Sequence, residues 1–196
     1  MVGFMATSAR VLAPADVRRM LVYVGDWRAA ERNTVIILLS FHAGLRACEI
    51  AGLQWSMVAT ARGKIGNQIF VSGTIAKNGR QRTIPLHPEL ILALRQLYRL
   101  EGKPTKGPVI RSLRGGHMTP RSIVNWFTQL YGELGYDGCS SHSGRRTFIT
   151  RSARLIVKAG GSLKDIQELA GHSCLTTTER YIEGDREAQR KLIALL

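Results

Sequence analysis

The chain has 196 residues, enough for one domain with a proper core, and its 44% apolar and 7% aromatic content is that of an ordinary globular protein. A formal net charge of +14 repels itself in a compact state and favours an anionic partner; nucleic acid is the commonest, though a ribosomal protein or an anionic-lipid surface fits the charge alone. Cys48, Cys139 and Cys174 form neither a disulfide framework nor a zinc motif, no apolar run reaches the length of a membrane span, and no secretory leader opens the chain, so a cytoplasmic, nucleoid-associated setting is expected.

Residues 1–12 lack patterning and are expected as a loose lead-in. Pro14 suits a first helical position, and Val17, Met20, Leu21 and Val24 follow at helical spacing. Residues 32–43 are apolar on nearly every side, which predicts a central buried helix stopped by Gly44. A short helix is expected from Arg46 to Gly52. The pattern then changes: Asn67–Val71 and Arg82–Pro85 read as strands joined by a turn at Lys77–Arg80, with Ser56–Val58 as a short partner strand.

Helical spacing returns over 89–99 with Leu90, Leu94 and Leu97, followed by a loop at 102–108 rich in Gly, Lys and Pro. Thr119 and Pro120 make an N-cap and first helical residue for a helix that turns Ile123, Phe127 and Leu130 inward. Ser141 is expected to cap a helix from His142 to about Lys158, stopped by Gly160 and Gly161. Ser162 and Asp165 form a capping-box pair for a helix with Leu163, Ile166 and Leu169 on one face. A last helix is expected to hold Tyr181, and Ala188, Leu192 and Leu195 give the tail an apolar stripe. The expected fold class is mainly α with a small antiparallel β-sheet (α+β): a domain over 13–185 and a tail helix over 186–196.

Several polar residues recur at intervals that suit one chemistry. His142 and Arg145 form an HxxR pair, Gly171-His172 follows on the next predicted helix, and Tyr181 lies nine residues beyond His172. Upstream, Gly44-Leu45-Arg46 with Glu49-Ile50 places an arginine just after a helix stop, and Lys77 sits on the hairpin tip before Arg82-Thr83-Ile84-Pro85-Leu86. Cationic donors of this kind can surround a phosphodiester while a tyrosine hydroxyl attacks it. In this order and spacing the residues resemble the tyrosine recombinase (phage integrase) family, and the match runs from Arg46 to Tyr181 with all six catalytic positions filled.

The resemblance implies the catalytic-domain fold of that family and a site-specific recombinase that breaks and rejoins DNA through a 3′-phosphotyrosine intermediate, with no cofactor and no metal. Arg46 and Arg145 would fork onto the non-bridging oxygens of the scissile phosphate. His142 and His172 would hydrogen-bond it, with His142 better placed to take the tyrosine proton. Lys77 would protonate the departing 5′ oxygen, and Tyr181 would be the nucleophile. Glu49 and Thr147 are expected to support the site from behind. Arg80, Arg82, Arg111, Arg114, Arg121 and Arg146 are expected on the DNA backbone, which positions a protein without reading sequence. Double-stranded DNA is the implied partner, with four protomers on two sites and the tail over 186–196 as a candidate for exchange between them.

Taken singly, most of these residues have plain readings: Lys77 as a solvated turn residue, His172 as a packed core residue, Tyr181 as a helix anchor. Jointly they favour the functional one. A type IB topoisomerase uses the same groups without partner sites, and a non-catalytic DNA-binding regulator could share the fold; the filled set of six argues against the latter. The chain departs from the family pattern at Gly144 and Arg146, where Leu and His are common. Family members also carry an N-terminal core-binding domain, whereas about a dozen residues precede the first helix here, which fits either a single-domain member or a catalytic part of a longer protein.

Overall fold

A computed structural model of the chain describes residues 9–77, 79–181, 190, 193 and 194. The fold is organised around one buried helix. Among those residues the order is α1 (Pro14–Gly25), α2 (Ala30–His42), α3 (Ala47–Gly52), a 3-10 turn at Trp55–Met57, β1 (Gln68–Val71), β2 (Arg82–Pro85), α4 (Pro88–Leu100), α5 (Pro120–Leu134), α6 (Ser143–Leu155), α7 (Leu163–Ala170) and α8 (Leu175–Glu179). The expected class, helices with a small antiparallel sheet, is what is observed.

The sequence of α2 explains its central place. Residues 35–41 are buried without a break, so the helix has no polar face to give to water and must be covered on every side. It is packed by α1, α4 and α6, with α3 at its end. Ile36, Ile37, Leu38 and Leu39 are essentially inaccessible, each contributing about 1.5–3 kcal/mol of apolar burial. Gly44 ends the helix with φ +62, and a Cβ there would collide with the Phe148 ring on α6. The stop is therefore both a backbone requirement and a packing one.

The ladder pairs Ile69 with Ile84 and Val71 with Arg82, and the buried Ile69, Val71 and Ile84 face the core. Residues 72–81 connect the strands, a longer loop than the expected turn at Lys77–Arg80, and begin with Ile75 and Ala76 N–H groups folding back onto the Ser72 carbonyl. Thr119 caps α5 by accepting from the Ser122 N–H at 3.1 Å, as the sequence suggests.

Other expectations are corrected. Ser56–Val58 is not a strand: Trp55 is 1% exposed and packed on Tyr98 at a centroid distance of 5.0 Å, and the chain coils into a 3-10 turn to bury that indole. α6 begins at Ser143 rather than His142, because Ser143 Oγ accepts the Ser140 N–H at 3.0 Å and Ser141 caps nothing. The helix stops at Leu155, with turns to Gly160. Tyr181 is not inside a helix; α8 ends at Glu179 and Tyr181 follows in a turn. Residues 9–12 are tied down rather than loose: the Arg10 N–H donates to the Gly138 carbonyl at 3.0 Å, and Leu12 is buried. The tail stripe at Ala188, Leu192 and Leu195 lies outside the described residues.

At Gly144, α6 meets α2 too closely for a side chain. A Cβ at Gly144 would run into Ser40 Oγ, lie 2.8 Å from Ser40 Cβ and 3.1 Å from Phe41 Cδ2, and the Ser40 Cβ cannot move without its helix. Gly144→Ala is expected to lower stability by about 1–3 kcal/mol through overpacking, read as the shift in urea midpoint. An unchanged midpoint would mean that the two helices can separate freely.

Candidate active site

The start of α3, the β1–β2 connection, the first turn of α6 and the segment from the end of α7 through α8 converge, and the residues they deliver surround a cavity of about 520 Å³. Arg46, Lys77, His142, Arg145, His172 and Tyr181 all line it, together with Ala9, Ser140, Arg146 and Thr177. All six expected catalytic side chains are thus brought together from positions spread over most of the sequence.

Arg145 lies deepest, at 3% exposure. Its Nη1 donates to the Gly44 carbonyl at 2.8 Å and its Nη2 to the Ala170 carbonyl at 2.6 Å. These acceptors are neutral helix-end carbonyls, so the guanidinium is oriented without being neutralised. Burial first, then the charge of Arg46, bring its pKa down to about 10, and the group stays cationic at neutral pH.

Glu49 is the buried counter-charge. Its carboxylate accepts from Arg82 Nη1 at 2.8 Å and Nη2 at 2.9 Å, a bidentate pair. It also accepts the Arg46 N–H at 2.9 Å and, more weakly, Arg46 Nη1 at 3.3 Å. Burial alone pushes this carboxyl up, but the hydrogen bonds and charge of Arg82, with Arg46 behind them, outweigh it and hold it below the usual carboxylate range. Arg82 is therefore a correction: expected on the DNA backbone, it turns inward, gives both terminal nitrogens to Glu49 and donates its Nε to the Leu169 carbonyl at 2.9 Å. A carboxylate buried this deeply needs a full cationic partner, and Arg82 supplies it.

His172 is 6% exposed and rigidly held. Its N–H donates to the Gln167 carbonyl at 3.0 Å, its own carbonyl accepts from Gln167 Nε2 at 3.2 Å, and its Nδ1 is 2.9 Å from Thr178 Oγ1. Burial, then the charges of Arg145, Arg46 and Arg82, push its pKa down to about 4, so the ring is neutral at pH 7. His142, at the N-cap position of α6, is shifted in the same direction by burial, then Arg145, Lys77 and Arg46. The Tyr181 ring lies 5.7 Å and 20° from the His172 ring, and the Tyr181 carbonyl accepts from Thr150 Oγ1 at 3.2 Å.

The other expected residues divide. Thr147 is buried, and its Oγ1 accepts the Leu12 N–H at 3.0 Å, fastening the N-terminal segment to α6. Arg146 stands 5.7 Å from the Tyr181 ring centroid. Arg80 is exposed beside a second cavity of about 590 Å³ between β2 and α7. Arg111, Arg114 and Arg121 are exposed and do not line the cavity around Arg145. Thr178 and Gln167 were missed from sequence; the threonine run at 176–178, four to six residues after His172, was the available signal. Among the described residues, His42, His87 and Glu89 could approach a metal ion, but they lie outside the cavity. The two imidazoles stack at 4.0 Å and 5°, so their in-plane lone pairs do not converge on one point.

The phage integrase family model matches residues 10–187. Tyrosine recombinase XerC of Bradyrhizobium diazoefficiens is 31% identical over 186 residues, covering 92% of this chain and 54% of that protein. The chain spans about half the length of the curated relatives it matches. Among solved structures, the Tn1549 transposon integrase in complex with a circular intermediate DNA aligns with TM-score 0.74 at 21% identity, over 96% of this chain and 66% of that one. The XerA recombinase aligns with TM-score 0.73 at 21% identity, over 95% and 64%. At that identity the likeness is one of fold.

The depressed His172 pKa has a stability consequence of definite sign. In the unfolded chain a histidine titrates at roughly 6.5, so between that value and about 4 the unfolded state binds the extra proton. The stability from keeping the ring neutral is complete above about pH 6.5 and is lost as pH falls toward about 4. Urea midpoints are expected to fall between about pH 7 and about pH 4.5, and to fall less in His172→Gln. Equal losses in both proteins would contradict the assignment.

Proposed function

The chain belongs to the phage integrase family, and on that premise we propose that it breaks and rejoins DNA strands by transesterification at Tyr181. The observation that carries the reading is the single cavity lined by Arg46, Lys77, His142, Arg145, His172 and Tyr181. One phosphodiester seated there is reached by every group the exchange needs.

The Tyr181 Oη attacks phosphorus, its proton passing to the neutral His142. As the P–Oη bond forms, the P–O5′ bond breaks, and Lys77 delivers a proton to the departing 5′ oxygen. Charge grows on the non-bridging oxygens in the pentacoordinate state. Arg145 meets it with the N–H groups that Gly44 and Ala170 leave over, beside Arg46 and His172. The 3′-phosphotyrosyl ester conserves the bond energy, so the reverse attack by a 5′ hydroxyl reseals the strand without a nucleotide. Tyr181 acts on the phosphate held by its own chain, since it lines the same cavity as Arg46 and Arg145.

Duplex DNA is the partner this chemistry requires, and the net charge of +14 supports it. Arg80, Arg111, Arg114 and Arg121 are the proposed backbone contacts. Residues 13–185 form the catalytic unit, and recombination joins four protomers on two sites, in the cytoplasm with the nucleoid. Among the described residues, no helix is long and apolar enough to cross a membrane.

Covalent trapping tests the reading. With nicked or phosphorothiolate-bridged duplexes drawn from the DNA flanking its own coding sequence, the wild-type protein is expected to give a slow-migrating adduct on a denaturing gel, and Tyr181→Phe none. Duplex binding with no adduct would favour a binding-only relative. Relaxation of a supercoiled plasmid lacking paired sites would favour a topoisomerase.

A further inference from the structure

α8 ends two residues before Tyr181, so contacts outside that helix must fix where the phenol points. Two come from one face of α6. Arg146 places its Cζ 5.7 Å from the Tyr181 ring centroid, and Thr150, one turn further on and so on the same face, donates to the Tyr181 carbonyl at 3.2 Å. The neutral His172 ring lies alongside at 5.7 Å, and Tyr181 packs on the small apolar cluster of Ile149, Ile166 and Ala170. Arg145 and Arg146 are adjacent yet committed differently: the first is tied to the Gly44 and Ala170 carbonyls, the second stands over the nucleophile's ring.

We propose that Arg146 is a positioning residue for Tyr181, holding the phenol at the mouth of the cavity with its guanidinium. A cation within about 6 Å of an aromatic ring is attracted to its face, and the attraction grows as negative charge develops on Oη during attack. The contact thus restricts the ring before reaction and stabilises it during reaction. Arg146 stands where histidine is common in the family, so this chain assigns to a permanently charged side chain a place that a titratable one often fills. Its role is then not the DNA-backbone contact that its charge suggests.

The proposal depends on Tyr181 being the nucleophile, and two measurements separate the two ideas. In single-turnover trapping on a nicked duplex, Arg146→Met keeps a long side chain but removes the charge. The maximal rate of adduct formation is expected to fall roughly 3- to 30-fold, with half-saturating DNA changed less than about twofold. Arg146→Lys, which restores charge without the flat guanidinium, should recover part of that rate. If Arg146 were a phosphate contact, half-saturating DNA would rise and the salt slope would fall by about 1 at an unchanged maximal rate; that result, or no change in either quantity, overturns the proposal.

The second measurement needs no chemistry. With fluorotyrosine incorporated and the Tyr181 signal identified by its loss in Tyr181→Phe, Arg146→Met is expected to shift that fluorine resonance in the DNA-free protein, and Arg146→Lys to shift it less. An unmoved resonance overturns the contact even if the wild type forms adducts. A wild type that forms none sinks the nucleophile reading and leaves the contact to be decided by the fluorine spectrum.

Discussion

Like charges crowd together in this molecule, and the buried carboxylate of Glu49 is what makes the crowding tolerable. Arg46, Arg82 and Arg145 all act on that carboxylate electrostatically or through hydrogen bonds, and a single negative charge cannot neutralise three guanidiniums. The geometry divides it unequally. Arg82 takes both oxygens at close range, Arg46 keeps a weaker share, and Arg145 receives only the neutral Gly44 and Ala170 carbonyls. Positive potential is therefore left over at the cavity, where a phosphate would complete the balance. Burial first, and then the same cations that would attract an anion, keep His142 and His172 from becoming cations themselves.

The fold supplies the rigidity that this arrangement needs. α2 is covered on all sides, and its stop at Gly44 supplies one of the two carbonyls that aim Arg145. α6 lies directly against α2 at Gly144, one residue before Arg145, so the separation of the two helices sets the depth of the guanidinium. Gly171, closing α7, precedes His172, and Ala170 supplies the second carbonyl. The candidate catalytic groups lie next to helix ends and close helix contacts: Gly44 and Gly171 end α2 and α7 just before Arg46 and His172, and Gly144 lets α6 approach α2 just before Arg145.

Much of this was legible in the residues. The unbroken apolar run of α2, the Thr119–Pro120 start of α5 and the Ser162–Asp165 start of α7 are local signals, and the structure follows them. The six candidate residues were legible as a set because order and spacing carry information that no single one does. What the residues hid were facts of direction. Arg82 looks like any basic strand residue until Glu49, far away in sequence, is seen to need it. Ser56–Val58 has a strand-like composition, yet burying Trp55 decides its shape. The N-terminal segment looks loose because its anchor, Thr147, lies 135 residues away. The partnership of Thr178 with His172 depends on a turn geometry that the threonine run alone does not specify.

The central claim is that one chain assembles the whole site, its tyrosine included, around a single phosphate. The most direct measurement mixes two inactive proteins, Arg145→Ala, which retains Tyr181, and Tyr181→Phe, which retains Arg145, on a nicked duplex that traps covalent adducts with the wild type. If each tyrosine serves the phosphate bound by its own arginines, the mixture forms no adduct. An adduct in the mixture at a substantial fraction of the wild-type level would show that the nucleophile comes from a neighbouring protomer, and would contradict the account.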